Sequence, residues 1–130
     1  MSEGPARGIV VAHGAMATGM VDAVRRIAGG GADALIPVSN DGMSPPDLKA
    51  KLEEIAGEGR VVVFADLLSG SCGMAAMVSA RDQAQRAVVC GVNLPVLLDF
   101  VFHRDMPLDE LVPRLVDKGR DGIRRLPERG

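Results

Sequence analysis

Short apolar runs alternate with longer stretches of helical periodicity along this chain of 130 residues. The runs are rich in β-branched residues and predict four strands, at Gly8–Ala12, Ala34–Val38, Val61–Ala65 and Ala87–Val92. The intervening stretches predict five helices, at about Ala15–Ala28, from Ser44, at Ser71–Ala84, at Leu94–His103 and from Asp105 to about Lys118. This alternation indicates one doubly wound α/β domain over residues 1–130, with a mainly parallel four-stranded sheet and helices on both faces.

Three local signals refine this scheme. Pro37 cannot donate a hydrogen bond to a neighbouring strand, so the second strand is expected at an edge of the sheet. Ser44, followed by two prolines and Asp47, is typical of a helix start, with a capping hydroxyl and an acid in the first turn. The segment Gly122–Leu126 is expected to form a short last element, which we interpret as a strand.

Composition argues against several classes of protein. Hydrophobic residues make up 47% and charged residues 25% of the chain, which is ordinary for a globular domain and excludes intrinsic disorder. A formal net charge of −2 and only three aromatic residues, all Phe, argue against nucleic-acid binding. The apolar runs are too short to span a membrane and no secretory signal is evident, so a cytoplasmic protein without membrane insertion is expected.

The sulfur and imidazole groups are few. The chain has two cysteines, Cys72 and Cys90, and two histidines, His13 and His103. They form no C-x-x-C pair and no disulfide framework, and a zinc site usually draws on more such residues, so neither a metal nor another cofactor is expected. His103 ends a predicted helix and suits a structural role there. Cys72 begins a helix and would have a lowered thiol pKa if exposed, although we interpret it as a small packing residue.

Three chemistry-bearing features fall just beyond predicted strands. His13 follows the first strand, Asp66 follows the third, and the segment 70–73 (GSCG) opens the next helix. In an open α/β sheet, ligands bind beyond the carboxyl ends of the strands where the strand order reverses, and the first and third strands flank that point in the flavodoxin-like order. We therefore expect His13 and Asp66 to face each other beside a helix N-terminus.

This combination suits a histidine that accepts a phosphoryl group. A carboxylate at one ring nitrogen of His13 would fix the tautomer, leave the other nitrogen free to attack and stabilise the cation that forms. Backbone N–H groups and the Ser71 hydroxyl at a helix start would bind the phosphoryl oxygens. Each feature alone also has a structural interpretation, as a hydrogen-bonded histidine, a turn aspartate or a flexible loop.

Three segments carry motifs in a fixed order along the chain: GIVVAHGAMATGMVDAVRRIAG, VVVFADLLSGSCGMAA and CGVNLPVLLDFVFHRD. The first resembles the opening strand, HG dipeptide and first helix of the IIA domain of the bacterial sugar phosphotransferase system, in its mannose, fructose and sorbose family. The second resembles the third strand and D-x-x-G-G-S-P segment of that family, and the third resembles its G-V-N-L-P-M-L segment. The resemblance extends from about Gly8 to Leu126.

The resemblance implies a role for each residue of the predicted site. His13 would carry the phosphoryl group, Asp66 would orient the ring and Ser71 would help hold the phosphoryl group. The phosphoryl-binding set would be Gly14, Gly70, Ser71 and Cys72. The resemblance also implies a homodimer that exchanges the tail strand between subunits, a phosphoryl donor, the carrier protein HPr, and an acceptor, a IIB protein. No IIB segment follows within these 130 residues, so the acceptor is expected on another polypeptide.

The segment after the third strand departs from the family pattern. Ser69 replaces a glycine and Cys72 replaces a proline, and Leu67 and Leu68 stand where an aromatic residue is often found. These changes leave the proposed catalytic groups intact, but they can alter the partner or slow the transfer.

Apolar side chains near the predicted site are candidates for partner docking, because such side chains, methionine above all, adapt to several partners. The predicted docking residues are Met16, Met43, Leu67 and Leu68. Helical spacing places Met20 and Met77 in the core instead.

Three functions stay open at this point. We favour a phosphohistidine carrier that serves sugar uptake or regulation. A non-catalytic or regulatory IIA-like interaction module would not need His13. A small tetrapyrrole metal chelatase also has a His-Gly after its first strand, but it would need a second metal-facing residue, and His103 is poorly placed for that role.

Overall fold

The computed structural model describes residues 4–81 and 84–128, and a parallel sheet is its centre. The strands β1 (Arg7–Ala12), β2 (Leu35–Ser39), β3 (Val61–Ala65) and β4 (Arg86–Cys90) lie in the order β2-β1-β3-β4. The α-helices are α1 (Met16–Ala28), α2 (Pro45–Ala56), α3 (Ser71–Ala80), α4 (Leu94–Phe102) and α5 (Leu108–Asp121), and a 3-10 helix covers Gly30–Ala34. Strand β2 lies at an edge, as Pro37 predicted. None of the helices in the described ranges is long and apolar enough to cross a bilayer.

The central strands are buried on both faces, which explains their continuous apolar sequence. Val10 and Phe64 belong to a core built with α1, α4 and α5, whereas Ile9 and Val63 belong to a second core built with α2 and α3. Neighbouring residues divide in this way because successive side chains of a strand point to opposite faces. Phe64 contacts Phe100 of α4 edge-to-face, with ring centroids 5.2 Å apart. The doubly wound α/β architecture is confirmed.

Side-chain caps set the starts of two helices. The Ser44 hydroxyl accepts a hydrogen bond from the Asp47 N–H at 3.2 Å, as its place before two prolines predicted. At α4, the Asn93 side-chain oxygen accepts from the Val96 N–H at 3.1 Å. Each cap satisfies a backbone donor that the helix itself leaves without an acceptor.

The structure differs from several of the predicted bounds, and three of the differences are informative. Helix α3 ends at Ala80 rather than Ala84, because Arg81 turns to an extended conformation with ψ 134°. Residues 82 and 83 of that predicted helix lie outside the described residues. Strand β4 ends at Cys90, before Gly91 at φ +80°. The segment Gly122–Leu126 forms no strand, and it pairs with none of the strands in the described part of the chain. Its exchange between two copies stays a prediction.

The prediction that Met77 lies in the core is wrong. Helix α3 buries a stripe of small residues, Cys72, Ala75, Ala76 and Ser79, against the second core. Met77 falls outside that stripe and is 47% exposed. Met20, by contrast, packs against the first core as predicted.

Candidate functional site

The strand order opens a crevice at the carboxyl ends of β1 and β3. From β1 the chain passes through α1 to β2 on one side, and the later strands β3 and β4 lie on the other side. Val11 of β1 is paired with Ala65 of β3, and the Asp66 N–H continues the ladder to the Val11 carbonyl at 3.3 Å. His13 and Asp66 therefore emerge side by side at the point where the strand order reverses.

Asp66 holds His13 through both its ring and its backbone. Oδ2 of Asp66 lies 2.7 Å from His13 Nδ1 and accepts the His13 backbone N–H at 2.9 Å. The other carboxylate oxygen, Oδ1, accepts the Leu67 N–H at 2.9 Å. The Asp66 side chain is only 6% exposed, whereas that of His13 is 45% exposed. A nearly buried carboxylate thus orients an accessible imidazole.

The electrostatics of the pair select one histidine tautomer. Burial raises the pKa of Asp66, but hydrogen bonds from the His13 side chain and backbone, with a smaller contribution from the Leu67 N–H, outweigh burial and hold that pKa below 3.8. The carboxylate is therefore ionised at neutral pH and accepts hydrogen bonds only. Its partner Nδ1 must carry a proton, so Nε2 of the neutral ring is left with the lone pair.

Nε2 faces the start of helix α3. The Ser71 hydroxyl oxygen lies 3.5 Å from His13 Nε2. Ser71 begins the helix after Gly70, and the N–H groups of the first turn have no carbonyl of their own helix to bond. Such a terminus, with its partial positive charge, binds phosphate-like anions. An anion placed at Nε2 would meet the hydroxyl and this helix end together.

Two glycines shape the start of α3 beside His13. Gly70 adopts φ +111°, which favours glycine, and a Cβ there would lie 3.7 Å from His13 Cε1. Gly73 is the tighter position, because a Cβ would lie 2.3 Å from the Leu67 carbonyl oxygen and 2.4 Å from that of Leu68. The loop that follows Asp66 thus lies directly on the first turn of the helix. Gly73 belongs to the GSCG segment, but no role was predicted for it from the sequence.

A further residue at this edge was missed from the sequence. Asn40 follows β2, and its side-chain oxygen accepts the Gly14 N–H at 3.3 Å. Gly14 adopts φ +59°, so the HG dipeptide turns sharply there. The Asn40 backbone N–H also donates to the Ala12 carbonyl at 3.2 Å. The signal was present, because Asn40 follows a parallel strand and must reach the same edge as His13.

Cys72 is a buried packing residue, as predicted, and not an exposed thiol at the helix start. The residue is fully buried, and its sulfur lies 3.6 Å from His13 Nδ1. Burial, and then the negative charge of Asp66, raise the pKa of the Cys72 thiol. The thiol is therefore protonated at neutral pH, and the sulfur faces the buried side of the imidazole.

Three of the four predicted docking residues are exposed around the site. Leu67 and Leu68 are more than half exposed in the loop after Asp66, and Met16 is exposed at the start of α1. Met43 differs, because it is half-buried and packs against the second core. Much of the Met43 side chain is therefore used in packing and is not open to a partner.

His103 lies at the opposite edge of the sheet. It ends α4, and its Nδ1 contacts the Asp99 carbonyl oxygen at 2.8 Å, which fits the structural role predicted for it. The next residue, Arg104, pairs with Ala6 just before β1 begins. His103 is therefore not the second metal-facing residue that the chelatase alternative would need.

Comparison with known proteins agrees with this geometry. Residues 8–115 match the family described as "PTS system fructose IIA component". The "PTS system mannose-specific EIIAB component" of Escherichia coli K12 is 35% identical over 79 residues, which cover 59% of this chain but only 24% of that protein.

Two solved structures have the same fold over nearly their whole length. The phosphotransferase system component EIIA of Streptococcus agalactiae superimposes with a TM-score of 0.84 at 26% identity, covering 92% of this chain and 96% of that one. The mannose/sorbose specific IIA subunit of Enterococcus faecalis has a TM-score of 0.83 at 28% identity, covering 98% of this chain and all of that one. The family match spans most of the chain, so the protein belongs to the IIA family of the phosphotransferase system.

Proposed function

We propose that this protein is a cytoplasmic phosphoryl carrier in which His13 accepts a phosphoryl group from HPr and passes it to a IIB protein. Membership of the IIA family supports a role in a phosphotransferase system. The single observation that carries the residue assignment is the 2.7 Å contact between His13 Nδ1 and Asp66. That contact leaves Nε2 as the nucleophile, on the accessible side of the ring.

The proposed step follows from this arrangement. The Nε2 lone pair attacks phosphorus, and the new N–P bond forms as the bond from phosphorus to the donor breaks, with its electrons leaving on the donor. The imidazole becomes a cation, which the Asp66 carboxylate stabilises through the proton held on Nδ1. The phosphoryl oxygens meet the Ser71 hydroxyl and the N–H groups of the first turn of α3. Transfer to the IIB acceptor is the same step in reverse, with a different partner.

The same arrangement supports roles for the remaining predicted residues. Gly70 keeps a side chain away from the His13 ring, Gly14 turns the chain at φ +59° directly after the nucleophile, and Cys72 contributes a backbone N–H to the helix start. Leu67, Leu68 and Met16 are exposed apolar side chains beside the nucleophile, where both partners would have to dock.

The test is phosphoryl transfer from labelled phosphoenolpyruvate through purified enzyme I and HPr. We expect acid-labile, base-stable label on the wild type and on His103→Ala, and none on His13→Ala. The His103 variant is the matched control, because it removes the other imidazole at the far edge of the sheet. An unlabelled wild type, with an HPr that does phosphorylate a control IIA protein, would refute the carrier function and favour a non-catalytic interaction module.

A further inference from the structure

Three potential metal ligands converge on the buried side of the His13 imidazole. Nδ1 of His13, a carboxylate oxygen of Asp66 and the sulfur of Cys72 all lie within 4.8 Å of one another. We propose that these three side chains bind a thiophilic divalent cation such as Zn²⁺, and that the bound cation prevents His13 from accepting a phosphoryl group. No metal was expected from the sequence, because the cysteines and histidines are few and are not spaced along the chain as metal ligands usually are.

Two of the three ligand separations suit a metal ion after a small adjustment. Zn–S and Zn–N bonds of about 2.3 Å and 2.0–2.1 Å place sulfur and nitrogen ligands about 3.5 Å apart in a tetrahedral site. The sulfur of Cys72 lies 3.6 Å from His13 Nδ1. The separation of 2.7 Å between Nδ1 and the Asp66 oxygen is that of a hydrogen bond. This separation would have to increase by roughly 0.6 Å to equal the distance between two such ligand atoms in a tetrahedral site.

The ligand set selects the kind of cation. A thiolate and an imidazole favour Zn²⁺, Co²⁺ or Cd²⁺ over Mg²⁺ and Ca²⁺, which prefer oxygen ligands alone. The carboxylate and the thiolate together balance the two positive charges. Three protein ligands leave the fourth position of a tetrahedral site for a water molecule. Binding releases the thiol proton of Cys72 to solvent, since the thiolate is the form that coordinates.

Metal binding and phosphoryl acceptance require opposite tautomers of His13. Without metal, Nδ1 carries the proton that Asp66 accepts, and Nε2 carries the lone pair. A cation on Nδ1 uses the lone pair of that nitrogen, so the proton of the neutral ring moves to Nε2, beside the Ser71 hydroxyl. Nε2 then has no lone pair with which to attack phosphorus. This inhibitory effect rests on the proposed function, whereas the metal site itself does not.

Cobalt tests the metal site directly. One equivalent of Co²⁺ added to the reduced wild-type protein should produce a thiolate-to-cobalt absorption band in the near ultraviolet. We expect the same band in Cys90→Ala and none in Cys72→Ala or Cys72→Ser. Calorimetric titration with Zn²⁺ should show one ion per chain, at least tenfold weaker binding in both Cys72 variants, and no competition by Mg²⁺. Equal binding by wild type and Cys72→Ala, or no saturable site, would overturn the proposal.

Phosphoryl uptake tests the inhibitory effect. Phospho-HPr is prepared separately and freed of enzyme I, and uptake is measured with and without one equivalent of Zn²⁺. We expect Zn²⁺ to lower phosphoryl uptake by wild type and Cys90→Ala at least tenfold. The uptake rates of Cys72→Ala with and without Zn²⁺ should be equal, whatever their size. Zinc that binds without lowering uptake would refute the inhibition. A wild type that takes up no phosphoryl group even without Zn²⁺ would overturn the proposed function and the inhibition with it, while the cobalt spectrum still decides the metal site.

Discussion

Replacing Asp66 with asparagine places a hydrogen-bond donor against another donor, whichever way the new amide group points. The carboxylate accepts three hydrogen bonds, two from His13 on Oδ2 and one from Leu67 on Oδ1. In Asp66→Asn, one of these oxygens becomes an NH₂ group that can only donate. If the NH₂ faces Leu67, it meets that backbone N–H. If it faces His13, it meets the His13 backbone N–H and draws the ring proton onto Nε2.

The side chain at position 66 is nearly buried, so water does not relieve the opposed donors. An unsatisfied buried donor costs about 1–3 kcal/mol, and we expect Asp66→Asn to lower the free energy of unfolding by that amount at pH 7. Phosphoryl uptake should fall by about 10²–10⁴-fold, because either orientation weakens the support for the cation or moves the proton onto the nucleophile. Urea denaturation and the phospho-HPr assay measure the two effects. Asp22→Asn is the matched control, since it breaks an exposed i,i+4 pair with Arg26 worth about 0.5 kcal/mol at most.

The pH dependence separates this explanation from a simple packing defect. The pKa of Asp66 lies below 3.8 in the folded protein. The ionised carboxylate therefore stabilises the fold at pH values above the pKa that Asp66 has in the unfolded chain. This stabilisation is lost as the pH falls through the pKa that Asp66 has in the folded protein. The stability difference between wild type and Asp66→Asn should therefore be largest near pH 7 and shrink below about pH 4. A difference that is equal at pH 7 and pH 3, or an asparagine variant as active as the wild type, would refute the reasoning.

Two further predictions concern stability. Gly73→Ala should lower the free energy of unfolding by about 1–3 kcal/mol and slow phosphoryl uptake, because the new Cβ would lie 2.3 and 2.4 Å from two backbone carbonyl oxygens. Gly19→Ala, in α1 with nothing within 4 Å, should instead raise stability by about 0.5–1 kcal/mol, and similar urea midpoints for the two variants would contradict the claimed contact. Ser44→Ala should cost about 1 kcal/mol through loss of the α2 cap while uptake stays unchanged; an unaltered melting temperature would show that the cap contributes nothing.

Much of the fold, and the pairing of His13 with Asp66, could be predicted from the sequence because both depend on the local pattern of residues. Continuous β-branched runs identify strands that are covered on both faces. The helical stretches between them return the chain to the start of the next strand, so the strands pair in parallel. Once β1 and β3 are neighbours, the residues that follow them must emerge together. His13 and Asp66 could therefore be paired without coordinates, and the geometry bears out that they meet.

The tertiary structure alone decided which way the polar and small residues of α3 face. That helix is apolar almost all round, so periodicity could not show that Cys72 is buried toward His13 while Met77 is exposed. The hydrogen bond from Gly14 to Asn40 joins two strand ends that are 26 residues apart, and the close contact at Gly73 depends on how the loop after Asp66 folds onto the first turn of α3. Such contacts depend on how far a helix slides and rotates on the sheet, which side-chain packing determines. The strands and their end residues follow from local pattern, but the rotation of α3 that brings a thiol to the buried side of the imidazole follows only from packing.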